Sequence, residues 1–177
     1  MRRIANAPRQ SVYVGAVSQR GSHGITSTDA DYFPLRQAQA INLAQQLGRG
    51  GHLYIDKEQL LVWDPAIILL DAGGLRLVRE DYARNRSFYD RLTAVQKHQV
   101  FVTLPYNNYH TNVELALANS WYVAQLLYPA RFSDISPARK TDEICREFLG
   151  IGCYDELRRE FGGFGPARLD RGGDRVN

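Results

Sequence analysis

Five consecutive apolar residues, Ala66 to Leu70, stand between Pro65 and Asp71. An uninterrupted run this short reads as a strand buried on both faces, and such a strand belongs in a parallel sheet with helices above and below it. That feature points to an α/β architecture. Ser11 to Val17 is a second β-rich run, His52 to Ile55 a short one, and Gln99 to Leu104 a further long candidate. Asp64-Pro65 must end whatever helix precedes the central run, because proline disfavours the α conformation of the residue before it.

Helical patterns fill the intervals. From Leu35 to Leu47 the residues Ala38, Ile41, Ala44 and Leu47 recur at helical spacing, and Gly48, Gly50 and Gly51 stop them. Asp56 is placed to cap a short helix, with Gln59 three residues on as in a capping box. Residues 75 to 97 predict helix, with Leu75, Val78, Tyr82, Phe88, Leu92 and Val95 turned inward. Thr111 and Glu114 form a second capping box before the clearest helix in the chain, apolar on two sides and therefore packed between two neighbours. Tyr128-Pro129 ends it, Ser136-Pro137 opens another, and Ile144, Phe148, Leu149, Tyr154, Leu157 and Phe161 suggest two closing helices. The expected fold is a three-layer α/β lobe over residues 11–161 with a mostly parallel sheet. Residues 1–10 read as the end of a preceding element, such as a linking helix, or as a disordered lead-in, and residues 162–177 as a disordered tail.

Composition removes several functions. A net charge of +3, with 22 basic and 19 acidic residues scattered along most of the chain, is too weak a bias for a nucleic-acid surface. No window is apolar enough to span a membrane. The opening MRRIANAPRQ has the positive residues of a signal peptide without an apolar core behind them, so no export signal is expected in this chain. Cys145 and Cys153, eight residues apart and without a metal-type cluster around them, read as a buried thiol and a bystander rather than as a disulfide.

Catalysis has little to stand on. The loop Gly21 to Thr28 follows a strand, yet it lacks both the Gly-Lys-Ser/Thr ending and the Gly-x-Gly-x-x-Gly pattern of nucleotide-binding loops. Ser27 and Thr28 are expected to order the loop by hydrogen bonds to backbone, while Arg20 and His23 can meet an anionic group. No nucleophile elbow accompanies His23, His52, His98 or His110. Asp29, Asp31, Asp56, Glu58 and Asp64 read more simply as caps and loop groups than as acid–base pairs. No catalytic residue is assigned, and the chain reads as a binding protein rather than an enzyme. The binding surface is expected on the loop Pro105 to Asn112, where Tyr106, Asn107, Tyr109 and His110 crowd the passage from strand to helix.

Taken together in order and spacing, four segments carry a resemblance. They are Ser-Val-Tyr-Val-Gly from Ser11, Gly-Ser-His-Gly-Ile-Thr-Ser-Thr from Gly21, Asp-Lys-Glu-Gln-Leu-Leu-Val-Trp-Asp-Pro from Asp56, and Leu-Pro-Tyr-Asn-Asn-Tyr-His-Thr-Asn from Leu104 with the helix behind it. From about Ser11 to Phe161 the chain resembles the C-terminal lobe of the class III solute-binding proteins of ABC importers for iron complexes, haem, cobalamin, or molybdate and tungstate. The resemblance implies one lobe of a bilobed, TroA-like periplasmic-binding-protein fold, whose other lobe and linking helix are not in this sequence. It implies half of an interlobe ligand site, with Arg20, His23, Tyr106, Asn107, Tyr109 and His110 on the cleft side. Glu58 would dock on an arginine of the membrane permease, and the full-length family works in the periplasm or cell envelope. A metal chelate such as a ferric siderophore is the expected ligand, molybdate or tungstate the alternative, and no covalently bound cofactor is expected. An enzyme acting on a phosphorylated small molecule, and a regulatory half-protein that self-associates through its exposed cleft face, are the readings from other classes.

Overall fold

The computed structural model describes Ile4, residues 7–107 and residues 109–170. The central run forms the middle strand. Strand β1 (Ser11–Gly15) and, after the short β2 (Ser27–Asp29), helix α1 (Phe33–Gln37) lead to β3 (Ile41–Asn42). Then come β4 (His52–Tyr54), α2 (Lys57–Trp63), β5 (Ile67–Asp71), α3 (Leu75–Arg84), α4 (Arg86–Tyr89), α5 (Thr93–Gln96) and β6 (Val100–Thr103). The long helix α6 (Val113–Leu127), α7 (Pro137–Leu149), α8 (Tyr154–Phe161) and β7 (Gly165–Pro166) complete the described chain. The main sheet runs β3-β1-β5-β6-β7, parallel except for β7, and β2 pairs with β4 in a separate antiparallel ribbon.

Strand alternation sorts the core into two halves. Val12, Val14, Ile67 and Leu69 face α1 and α6. Tyr13, Ile68, Leu70, Val100 and Val102 face the other way, toward Leu60 of α2, Leu75 and Val78 of α3, and Tyr89, Leu92 and Ala94 beyond it. All five residues of β5 are buried, as a strand covered on both sides requires. Helix α6 buries nine of its residues, Leu115 and Asn119 among them, which fits its position between the sheet and α7.

Several local expectations hold and several do not. Asp56 caps α2, accepting from the Gln59 N–H at 2.6 Å, and Ser136 caps α7. Asp64 ends α2 in the left-handed region, and its carboxylate holds the Thr93 N–H and hydroxyl at 2.7 and 2.6 Å, stapling α2 to α5. The helix expected over Leu35 to Leu47 is instead α1, β3 and a 3-10 turn (Leu43–Leu47). Gln39 adopts a φ of 53°, which breaks the helix, and Ile41 joins β1 as an edge strand with 43% of its surface exposed. Residues 75 to 97 divide into three helices. Thr111 does not cap α6. Asn112 holds the N-cap position without a side-chain bond, and the Thr111 hydroxyl donates to Asn107.

The ends are more ordered than their composition suggests. Ile4, in the segment read either as a lead-in or as the end of a preceding element, is 1% exposed in the core beside α6. Residues 162–170, expected in the tail, return to the sheet. There β7 pairs antiparallel with β6, Phe164 stacks on Tyr122 and Tyr154, and Leu169 is buried. Residues 171–177 lie outside the described residues. Cys145 and Cys153 form a disulfide, correcting the expectation of free thiols. The turn between α7 and α8 brings their Cα atoms to 6.0 Å, and Asp142 reinforces it by accepting from the Cys153 and Tyr154 N–H groups. A Cys145→Ala/Cys153→Ala chain is expected to lose about 2–3 kcal/mol of stability, read as a lower urea midpoint; an unchanged midpoint would mean the bridge constrains nothing.

Candidate functional site

Because β1, β5 and β6 are parallel, the loops that follow them leave from one edge of the sheet. Between β1 and β5 the strand order reverses direction, and a crevice opens at such a point in an open α/β sheet. Asp71, the last residue of β5, sits in that crevice with 1% of its surface exposed. Its carboxylate accepts from the Ser18 N–H at 3.1 Å, the Ser18 hydroxyl at 3.3 Å and the Gly73 N–H at 2.8 Å. One buried acid therefore locks the loop after β1 to the turn after β5. Gly74 completes the join: a methyl group there would lie 2.2 Å from the His23 carbonyl oxygen and 2.6 Å from that of Ala16.

Burial pushes the Asp71 carboxyl up to about 6, against the hydrogen bonds from Ser18 and Gly73 that hold it down. For an acid raised in the folded state, the associated stability is present below the unfolded pKa, is lost as pH climbs to about 6, and changes no further above that. This component is expected to be on the order of 3 kcal/mol between about pH 3.5 and pH 7. Urea unfolding of the wild type and of Asp71→Ala across that range checks it. The difference between them must vary with pH in this sense.

The candidate binding residues lie on the same edge with different exposures. Arg20 is exposed, at a positive φ of 54°. His23 is half-buried, and its Nε2 is 2.9 Å from the Gln19 carbonyl oxygen. Tyr106 is 4% exposed and belongs to the core, its ring 5.5 Å from that of Tyr32, with burial raising its hydroxyl pKa. It therefore supports the loop from beneath, and the tyrosine that presents its face to solvent is Tyr109, at 73% exposure. Asn107 is half-buried and bonded to Thr111, His110 is exposed, and Asn108 lies outside the described residues. Glu58 is exposed in the first turn of α2. Ser27 behaves as expected of a loop-ordering hydroxyl, donating to the Val17 carbonyl at 2.8 Å.

Sequence reasoning missed His52 and Tyr54. They alternate on β4, so both side chains lie on one face of the ribbon, against His23. Ring centroids are 5.7 Å apart for His23–His52, 5.5 Å for His23–Tyr54 and 4.9 Å for His52–Tyr54. Burial and the neighbouring His23 lower the His52 pKa, with Asp29 opposing them. The signal was the His-x-Tyr alternation in a strand facing a glycine-rich loop. Asn119 was also missed, a fully buried polar residue in α6. It donates to the Leu104 carbonyl at 2.8 Å and accepts from the Leu104 N–H at 2.9 Å, fixing the root of the Tyr106–His110 loop.

Concavities occur elsewhere too. One of about 280 Å³ is lined by Arg9, Asp31 and Arg36, and another of about 370 Å³ lies at the opposite end of the sheet between Tyr82, His98 and β7. Neither is lined by the candidate residues. Among the described residues no group of three or more His, Cys, Asp or Glu side chains converges on one point, and no helix is long and apolar enough to cross a membrane.

No family model matches the chain, and no curated protein matches it in sequence. Solved structures do match in shape. The molybdate periplasmic binding protein MolA of Haemophilus influenzae, bound to molybdate, is 22% identical over 85% of this chain and 46% of its own, with a TM-score of 0.64. A periplasmic solute-binding protein of Veillonella parvula is 18% identical over 90% of this chain and 49% of its own, at 0.63. Helicobacter pylori CeuE in a nickel–histidine complex is 17% identical over 90% of this chain and 50% of its own, at 0.60. The chain spans about half the length of each, and its mostly parallel five-stranded sheet flanked by helices is the fold of one lobe of these TroA-like periplasmic solute-binding proteins.

Proposed function

We propose that this chain is a ligand-binding lobe of an ABC-importer solute-binding protein, supplying one wall of a site whose other wall is a second lobe. The observation that carries the reading is the open edge of the sheet. Candidate groups stand there on the loops after β1 and β6, in a chain that matches about half of each solved solute-binding protein. A wall of this kind favours a bulky ligand with both flat and polar surface, and a metal chelate such as a ferric siderophore has that character. Tyr109 offers an apolar face with a polar tip, and Arg20, His23, Asn107 and His110 offer hydrogen bonds and positive charge.

Molybdate or tungstate is the second reading, favoured by the loop that places Arg20 and His23 together and by the molybdate held in the Haemophilus neighbour. Glu58, exposed at the start of α2, is the proposed contact with a permease arginine. An extracytoplasmic location agrees with the Cys145–Cys153 disulfide, since such bonds persist in oxidising compartments. Exposed Tyr54, Tyr109 and Val113 make self-association through the cleft face the expected behaviour of the lobe on its own.

Titration with a ferric hydroxamate, a ferric catecholate, cobalamin and molybdate tests the reading. Saturable binding of one of them, weakened by Tyr109→Ala or Arg20→Ala, is expected. Silence with all four, in this chain and in a version joined to a second lobe, would remove it.

A further inference from the structure

The concavity at the start of β6 is built by parts of the chain that meet only in the folded lobe. Its floor is apolar: Val100 and Leu169 are buried, and Tyr82, Val95 and Ala167 pack against the same core. One wall is the terminal return, where the Ala167 N–H donates to the Val100 carbonyl at 2.8 Å and the Arg79 Nε–H donates to the Arg168 carbonyl at 3.0 Å. At about 370 Å³ it falls within the roughly 300–1,000 Å³ of small-molecule sites. Strand β6 runs from here toward the candidate loops, so the two regions lie at opposite ends of the sheet.

Charge stands on the rim above this floor. Arg86, His98 and Arg168 line it, with the carboxylate of Asp170 beside them. The Arg86 Cζ lies 5.6 Å from the centroid of the Tyr82 ring, and buried Tyr89 meets Tyr82 edge-on at 5.3 Å. That stack steadies the guanidinium and leaves its N–H donors for an oxyanion. The acid nearest along the helix, Asp90, is 3.6 Å away in an exposed pair, which holds Arg86 only weakly. Pro166 has no N–H to offer, so this edge is a poor place to add a peptide strand. A bare inorganic oxyanion would leave the apolar floor uncovered, and an amine would meet the cationic rim. A flat apolar body with one negative charge complements both.

We infer that this concavity is a second ligand site, taking a small planar organic acid such as an arenecarboxylate, with its ring on the floor between Tyr82, Val95 and Leu169 and its carboxylate met by Arg86 and His98. The site is built from this chain alone and does not depend on the transport reading, because it needs neither a second lobe nor an imported ligand. Since one wall is the return from Gly165 to Asp170, a bound acid also holds that return against β6.

Titration of the nitrogen-labelled full chain with 2-naphthoate, followed by amide chemical shifts, tests it. Saturable movement is expected in residues 95–100 and 167–170, while residues 16–26, 72–74 and 104–112 stay still. Arg86→Ala and His98→Ala should each weaken binding about threefold or more, the scale of a charged contact at an exposed rim. Neutral 2-naphthol, the same ring without the carboxylate, should bind more weakly still, and inorganic phosphate should not compete. Arg139→Ala, an exposed arginine of α7 beyond α6, should change nothing. With 2-naphthoate at about ten times its Kd, exchange of the Ala167 N–H should slow about tenfold, because the acid binds only the docked return. No saturable movement at millimolar acid would overturn the inference. So would shifts centred elsewhere, equal affinity for 2-naphthol, affinity unchanged in both variants, or unaltered exchange at Ala167. Chelate and molybdate binding are read at the other end of the sheet, so either reading can fail alone.

Discussion

Gly74→Ala is expected to destabilise the chain by about 3 kcal/mol or more, the upper range for overpacking a rigid site. The added methyl group would meet two backbone carbonyl oxygens, those of His23 and Ala16, at 2.2 and 2.6 Å. Neither can rotate away. Relief requires the whole loop after β1 to move off the turn after β5, which would separate Ser18 from Asp71 and displace His23. Gly73→Ala is the informative control, since its nearest obstacle at 2.3 Å is the Ser18 hydroxyl, the end of a side chain that can turn. Urea unfolding should rank Gly74→Ala well below Gly73→Ala. Equal stabilities would show that the two loops are not held together in the way described.

Asn119→Ala should cost about 2–6 kcal/mol, from two buried backbone groups each left without a partner at about 1–3 kcal/mol. The side chain is fully buried and serves both the N–H and the C=O of Leu104, where β6 passes into the loop that carries Tyr106, Asn107, Tyr109 and His110. Its loss should also release that loop. Amide hydrogen exchange at Leu104 and beyond is expected to quicken more than in the rest of β6. A cost below about 1 kcal/mol, the scale of one ordinary hydrogen bond, would contradict the role given to Asn119.

Elements buried on two sides were legible because their composition has no alternative use. The Ala66–Leu70 run, the apolar helix from Val113 and the capped starts at Asp56 and Ser136 each carry a local reason for their conformation. What escaped depends on partners far away in sequence. Nothing at Gln39 announces a positive φ, so Ile41 read as part of a helix and not as an edge strand. Strand β7 is a Gly-Pro pair of low strand propensity that exists because β6 has an open edge. The disulfide depends on the turn between α7 and α8, which spacing alone does not reveal. At the site the pattern is similar. The loops were visible as loops, whereas the inward Tyr106 and the convergence of His23 with His52 and Tyr54 require the β2–β4 ribbon to be folded first.

The central claim is that the edge carrying the loops after β1, β5 and β6 is one wall of a ligand site. Amide chemical-shift mapping of the nitrogen-labelled chain tests it most directly, with gallium-loaded hydroxamate and molybdate as separate titrants, because it registers even weak binding by a single wall. The account predicts that one titrant shifts amides in residues 16–26, 72–74 and 104–112 together while the opposite end of the sheet stays still. Shifts centred on the concavity beside Tyr82 and His98, or no shifts with either titrant, would contradict it.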